Sequence, residues 1–187
     1  MLPNDTPTLH QRLLEILRAR SVRRGVFTLT SGQTSDFYVD VKQTSLNAEG
    51  SWVIAQLMLA RLHPDVVAIG GLTLGADPIA CAMAPLSFGA GRPIQAFIIR
   101  KEAKGHGMLD FIEGRSNLPE EAKVAIVEDT TTTGGSLMKA VERARAARLE
   151  VVQCLTVVDR QEGAREWLAE NGLHLEALTT RVELLNP

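Results

Sequence analysis

The chain has 187 residues, 45% hydrophobic and 22% charged, with 20 Lys and Arg against 22 Asp and Glu for a formal charge of −2. At roughly 150 residues per domain this is one domain, or one domain with a small appendage, burying roughly 70% of its unfolded surface; the apolar content excludes wholesale disorder, and a core of this size needs no staples. The balanced charge, without a dense Lys/Arg run, excludes a protein built around a nucleic-acid backbone; no apolar stretch approaches the roughly 20 residues of a membrane span, and residues 1–7 carry no secretory pattern, so a soluble cytoplasmic protein is expected.

Thr6 and Pro7 open a helical pattern in which Leu9, Leu13, Leu14, Ile16 and Leu17 recur at helical spacing. Residues 18–25 are basic and end in glycine, which predicts the helix's closing turn. Two short β-like runs, 26–29 and 37–41, flank a turn at residues 30–33, and Asn47 then caps a helix carrying Trp52, Val53, Leu57 and Leu62. From there strand, loop and helix repeat. The apolar run 66–69 leads through Gly70 and Gly71 to a helix at 78–84, and strand 94–99 leads into a polar, glycine-bearing stretch at 100–114. Strand 124–127 is followed by a Thr/Gly loop and a helix over 136–148; strand 151–158 by a helix over 164–171; and 175–179 is a last short strand. Continuous apolar strands alternating with helices predict an α/β fold with a parallel sheet covered on both faces, where ligands bind beyond the carboxyl ends of the strands. Cys81 and Cys154 lie far apart in apolar segments and read as small buried hydrophobes, with no second metal-type ligand beside either. His10, His63 and His174 have no partner pattern, and no order of Ser, His and Asp or of Cys and His suggests a covalent nucleophile.

The strongest chemical signal follows strand 124–127: Glu128, Asp129, Thr130, Thr131, Thr132, Thr133, Gly134, Gly135 and Ser136. The backbone N–H groups of a helix N-terminus, approachable through glycines and flanked by hydroxyls, suit a phosphate. Carboxylates repel phosphate but suit ribose hydroxyls, or a magnesium ion shared with phosphate. A sugar phosphate therefore satisfies both halves. The spacing is neither a Walker A loop nor the dinucleotide glycine fingerprint. An acidic helix start that merely complements the helix dipole is the plainer alternative; the acidic pair, threonine run and double glycine together favour a site. The second signal is Arg100, Lys101, Lys104 and His106 within seven residues that also contain glycine. It is a cationic arm suited to a polyanion or, taken alone, a solvated loop.

The 124–136 segment resembles the phosphoribosyl-pyrophosphate (PRPP) motif of type I phosphoribosyltransferases. In that family the acidic pair binds ribose hydroxyls and the loop binds the 5′-phosphate. The pattern Arg-Lys-Glu-x-Lys-x-His-Gly over 100–107 is similar to the catalytic loop of the orotate phosphoribosyltransferase family in particular. The resemblance runs from about Phe27 to Arg160. It implies a central mostly parallel sheet flanked by helices, with a small hood formed largely by the N-terminal segment, 1–45, of a single domain over 1–187. It implies transfer of ribose 5-phosphate from PRPP to orotate, giving orotidine 5′-phosphate and pyrophosphate in pyrimidine biosynthesis, by a homodimer with shared sites. Carried over residue by residue, Arg100, Lys101, Lys104 and His106 become the leaving-group contacts and Glu128 to Ser136 the PRPP cradle. Thr132, Arg160, Tyr38 and Val39 become orotate contacts, a guanidinium fork being well suited to a planar carboxylate. Mg²⁺ is implied, held mainly by PRPP with Glu128 and Asp129 nearby.

Two positions depart from many members, which have lysine where Thr30 and Gly75 stand. The expectation is that PRPP handling leans on Arg100, Lys101, Lys104 and magnesium, with loop 71–77 working through backbone N–H groups. A phosphoribosyltransferase for another base, such as a purine, and a non-enzymatic PRPP sensor that binds nucleic acid are the competing classes. The first is separated by base competition; the second needs a basic face or an added DNA-binding segment, and neither is visible.

Overall fold

The computed structural model describes residues 5–28, 34–102 and 111–186. Helix α1 (Thr6–Arg20) begins where the Asp5 carboxylate accepts a hydrogen bond from the Thr8 backbone N–H at 3.1 Å. An antiparallel hairpin follows, of β1 (Val22–Thr28) and β2 (Thr34–Val39). The helix ends sooner than its basic tail suggested: Arg23, Arg24 and Gly25 belong to β1, because Val22 pairs with Val39 across the hairpin. The predicted turn at residues 30–33 lies outside the described residues. A one-turn helix α2 (Lys42–Ser45) leads into α3 (Ala48–Arg61), whose Asn47 side chain accepts from the Gly50 N–H at 3.0 Å.

The rest is β3 (Ala68–Leu72), α4 (Asp77–Gly89), β4 (Gln95–Ile99), β5 (Ile112–Glu113), β6 (Lys123–Thr131), α5 (Gly135–Ala146), β7 (Glu150–Asp159), α6 (Ala164–Glu170), β8 (Leu175–Thr180) and α7 (Arg181–Leu185). Six strands form one sheet in the order β5-β4-β3-β6-β7-β8, parallel except for β5, which runs antiparallel to β4. The α/β prediction with a mostly parallel sheet is therefore met. The short elements α2, β5 and α7 carry too few residues to show a period.

Side chains along the central strand alternate between two cores. Ala125 and Val127 of β6 face the core built with α1, α3, α4 and α7, together with Phe37 and Val39 of β2. Val124 and Ile126 face the core built with α5 and α6. Gly70 and Gly71, expected just after a strand, lie inside β3. A Cβ on Gly70 would stand 2.3 Å from the Phe97 carbonyl oxygen, and one on Gly71 2.2 Å from that of Val127. Only glycine lets the neighbouring strands close around β3 at this level. Cys154 is buried as expected, and burial pushes its thiol up to about 12, whereas Cys81 is exposed on α4; both are free.

Candidate active site

Strand β6 is longer than the apolar run that announces it. The strand runs on through Glu128, Asp129, Thr130 and Thr131 beside β7, with Glu128 opposite Thr156, Thr130 opposite Val158 and Thr131 opposite Asp159. The alternation of β6 then divides the acidic pair. Asp129 continues the face of Ala125 and Val127, while Glu128 continues that of Val124 and Ile126. Adjacent carboxylates thus enter the site from different faces of the sheet.

The sheet order reverses between β3 and β6, since the chain runs from β3 out to β4 and returns to β6 on the other side. A cleft of about 260 Å³ opens at this point, beyond the carboxyl ends of both strands. One wall is Leu72, Thr73, Leu74 and Gly75, and the other is Glu128, Asp129 and Ser136; Lys42 and Lys101 complete it. Thr73 donates its hydroxyl to Asp77 at 2.5 Å, which ties the first wall to the start of α4. Gly75 lies against Asp129 so closely that a Cβ there would stand 2.5 Å from Oδ1.

Glu128 is pushed up to about 8, mainly by burial and next by the negative charge of Asp129, with Lys101 pulling the other way. Asp129 is otherwise well held. Its Oδ1 accepts from the Thr130 N–H at 2.8 Å, and its Oδ2 meets the Lys42 ammonium at 3.3 Å. The same ammonium lies 3.0 Å from Asp40 Oδ1. Burial opposes the charge on Lys42, but the hydrogen bond to Asp40 and the attraction of Asp129 and Asp40 outweigh it, holding Lys42 above its ordinary range.

Beyond Thr131 the chain turns through Thr132 and Thr133 into α5. Gly134 caps that helix at φ 89°, in the left-handed region, and a Cβ on it would come 3.2 Å from the Trp167 ring and 3.3 Å from Ala164. Both conformation and space therefore call for glycine. Ser136 and Gly135 are exposed at the helix start, and Thr131 is buried with its hydroxyl lacking a hydrogen-bond partner among the described residues.

Of the predicted cations, Lys101 lines the cleft, while the Arg100 guanidinium pairs with Glu113 at 3.0 Å along the β4–β5 edge. Lys104 and His106 lie outside the described residues, as does Thr30. Arg160 follows β7 and is buried; it bonds to Glu162 at 2.8 Å and packs over the Phe37 ring at 5.0 Å, while its Nε has no partner among the described residues. Its backbone N–H donates to the Thr131 carbonyl at 2.9 Å, so Arg160 sits next to the Thr-rich loop. Alternation along β2 separates the other two predicted contacts: Val39 points into the core, and Tyr38 is 41% exposed with its ring 5.7 Å from that of Phe27. Lys42 was not singled out from sequence. The available signal was a lysine two residues beyond Asp40 at the end of a strand, which does not by itself distinguish a site lysine from a surface one.

Comparison with known proteins agrees with this geometry. The phosphoribosyl transferase domain model matches residues 52–176. The chain is 47% identical over 180 residues to a protein of Nostoc sp. named orotate phosphoribosyltransferase, covering 96% of this chain and 87% of that one. A protein of the same name from Bradyrhizobium diazoefficiens is 48% identical over 177 residues, covering 93% and 95%. The chain belongs to the orotate phosphoribosyltransferase family. Among solved structures it is similar to the Mycobacterium tuberculosis orotate phosphoribosyltransferase in complex with Fe(III) dicitrate, with TM-score 0.82 and 41% identity over 94% of this chain and 98% of that one. The same M. tuberculosis enzyme in complex with PRPP matches with TM-score 0.76 and 38% identity, over the same shares of the two chains. Membership of an orotate phosphoribosyltransferase family accounts for a sheet whose switch point carries carboxylates and a Thr/Gly loop side by side, because a phosphorylated sugar needs both.

Proposed function

We propose that the protein transfers ribose 5-phosphate from PRPP to orotate, giving orotidine 5′-phosphate and pyrophosphate, as a step of pyrimidine biosynthesis. The observation that carries this is the cleft at the β3–β6 switch point, where the carboxylates of Glu128 and Asp129 stand beside the start of α5. The near full-length similarity to orotate phosphoribosyltransferases supports orotate as the base.

Within this reading, residues 130–136 take the 5′-phosphate through the N–H groups opening α5 and the hydroxyls of Thr130, Thr131, Thr132, Thr133 and Ser136, with Gly134 and Gly135 allowing close approach. Asp129 and Glu128 accept the ribose hydroxyls. Holding both ends of the sugar fixes its anomeric carbon between the two walls, and orientation of this kind lowers the barrier. The C1–O bond to pyrophosphate breaks as orotate N1, arriving as an anion, forms the new C1–N bond, and positive character develops on the ribose. Arg100, Lys101, Lys104 and His106 neutralise the departing pyrophosphate. Arg160, Thr132 and the backbone around Tyr38 and Val39 present orotate; the buried guanidinium beside the Thr-rich loop, with Nε unpaired among the described residues, is chemically suited to the carboxylate.

No group of three or more His, Cys, Asp or Glu among the described residues is arranged to hold a metal. Two carboxylates alone fit magnesium that arrives mainly on the phosphates of PRPP, with Glu128 and Asp129 beside it. There the ion supplies charge neutralisation for the leaving diphosphate. We further read the chain as one domain whose residues 1–45 contribute the hood, acting as a cytoplasmic homodimer with shared sites. Among the described residues no helix is long and apolar enough to cross a membrane.

The test is loss of orotate ultraviolet absorbance with PRPP and Mg²⁺, alongside release of an equal amount of pyrophosphate. Orotate ignored while a purine base is consumed would overturn the choice of base. Sharing is tested by mixing a Lys104→Ala chain with an Asp129→Asn chain, where recovered activity is expected because a mixed dimer holds one site with both groups intact.

A further inference from the structure

The cleft has to receive a ligand with several negative charges, yet the Asp129 carboxylate already lines it, and among the described residues the cations that line it are Lys42 and Lys101. The loop wall opposite Asp129 offers no cation, and position 75 could not supply one without rearrangement. A side chain there would begin 2.5 Å from Asp129 Oδ1, displacing the carboxylate. Positive charge on that side comes instead from another element. Lys42 opens α2, directly after the hairpin, and reaches 87 residues along the chain to Asp129.

Its geometry suits a shared role. The ammonium has three N–H donors. Among the described residues Asp40 and Asp129 take two, at 3.0 and 3.3 Å. The side chain remains 41% exposed, so the nitrogen borders the cleft rather than being sealed beneath it. Asp40 anchors the lysine from behind and Asp129 draws it toward the site, so its position is set before any ligand arrives.

We propose that Lys42 is a substrate-binding residue, donating its third N–H to the diphosphate of PRPP while it holds Asp129 toward the ribose hydroxyls. The inference rests on the proposed PRPP chemistry of this cleft and adds to it a cation supplied by α2. Gly75 and Lys42 then form a matched pair: the missing side chain at 75 lets Asp129 lie close to the loop, and Lys42 replaces the charge that the loop does not carry.

The experiment is calorimetric binding of PRPP with Mg²⁺ to the full chain and to Lys42→Met, Lys42→Arg and Asp40→Asn, with orotate turnover measured separately. Lys42→Met is expected to raise the PRPP Kd at least about tenfold, the loss of one charge-assisted hydrogen bond, and to leave the orotate KM unchanged. Lys42→Arg restores most of the affinity. Asp40→Asn removes the rear anchor but keeps the ammonium, still held by Asp129, and loses clearly less PRPP affinity than Lys42→Met. Unchanged PRPP affinity in Lys42→Met would overturn the proposal. So would an equal loss in Asp40→Asn, which would mark the lysine as a structural ion-pair partner only. If the parent binds PRPP but leaves orotate unconsumed, the reading of the base fails, and Lys42 is still decided by the binding data. If the parent binds no PRPP, both fall.

Discussion

Glu128 carries the sharpest electrostatic consequence at the level of single residues. Its pKa near 8 lies above the ordinary 4.5, first because of burial and then because Asp129 is adjacent. Between those values the folded protein keeps a proton that the unfolded chain has lost, so this group makes stability fall as pH rises through the window. Glu128→Gln removes the ionisation. The variant is expected to melt higher than the parent at pH 8, by about 5 °C or more, with the gap closing toward pH 4.5; melting curves across pH check this. The gain comes with a functional loss above pH 8, where Glu128 is ionised: a neutral amide accepts ribose hydroxyls less strongly than a carboxylate does, and kcat/KM for PRPP is expected to drop at least about tenfold there. Arg160 makes a second case. Its guanidinium is packed on Phe37 and bound to Glu162, so Arg160→Lys loses the planar fork along with the stacking. Under the proposed role a rise in orotate KM with little change in PRPP affinity is expected in steady-state kinetics.

Among the elements, the two glycine contacts of β3 and the start of α5 decide whether the walls of the cleft meet. Gly71→Ala places a methyl 2.2 Å from the Val127 carbonyl and 2.7 Å from the Ala76 side chain, both in well-packed surroundings. Overpacking of this kind costs about 1–3 kcal/mol, expected as a lower urea midpoint at unchanged slope. Gly134→Ala tests a different mechanism, since a left-handed φ of 89° is strained for alanine and its methyl would press on Trp167 and Ala164. Distorting the first turn of α5 should weaken PRPP binding more than it lowers stability, and comparing calorimetric affinity with the melting temperature separates the two. The length of β6 belongs here too. Its apolar run suggests an end at Val127, because burial on both faces is what makes a parallel strand legible. The backbone continues to Thr131 because β7 offers partners up to Asp159, and ladder pairing is indifferent to whether side chains are polar. The opposite holds at residues 23–25, where basic side chains resemble a helix end but the backbone pairs within a hairpin.

For the whole molecule, the metal is expected to belong to the reaction rather than to the fold. With no cluster of three acidic, His or Cys ligands among the described residues, chelation by EDTA should abolish turnover while leaving the far-ultraviolet circular dichroism and the ligand-free melting temperature unchanged. A fall in melting temperature on chelation would place a metal in the folded core.

The α/β class, the alternation of strands and helices and the Thr/Gly loop after an acidic pair were all legible in the residues themselves. Hydrophobic runs, caps and turn residues are local and carry their own physical signature. So were Arg100 and Lys101 as positions of interest, because charge at a strand end is visible in one dimension, whereas Arg160 was singled out by the family resemblance. Which charges face one another was not. Strand order brings loop 72–75 against Asp129, the pleat sends Asp129 and Glu128 to opposite faces, and the hairpin with α2 after it delivers Phe37 and Lys42 from far along the chain. Arg100 turning to Glu113 and Lys42 turning to Asp129 are choices between partners that are all present in the sequence. They are decided by distance and by the dielectric around each pair, and those exist only once the sheet is assembled.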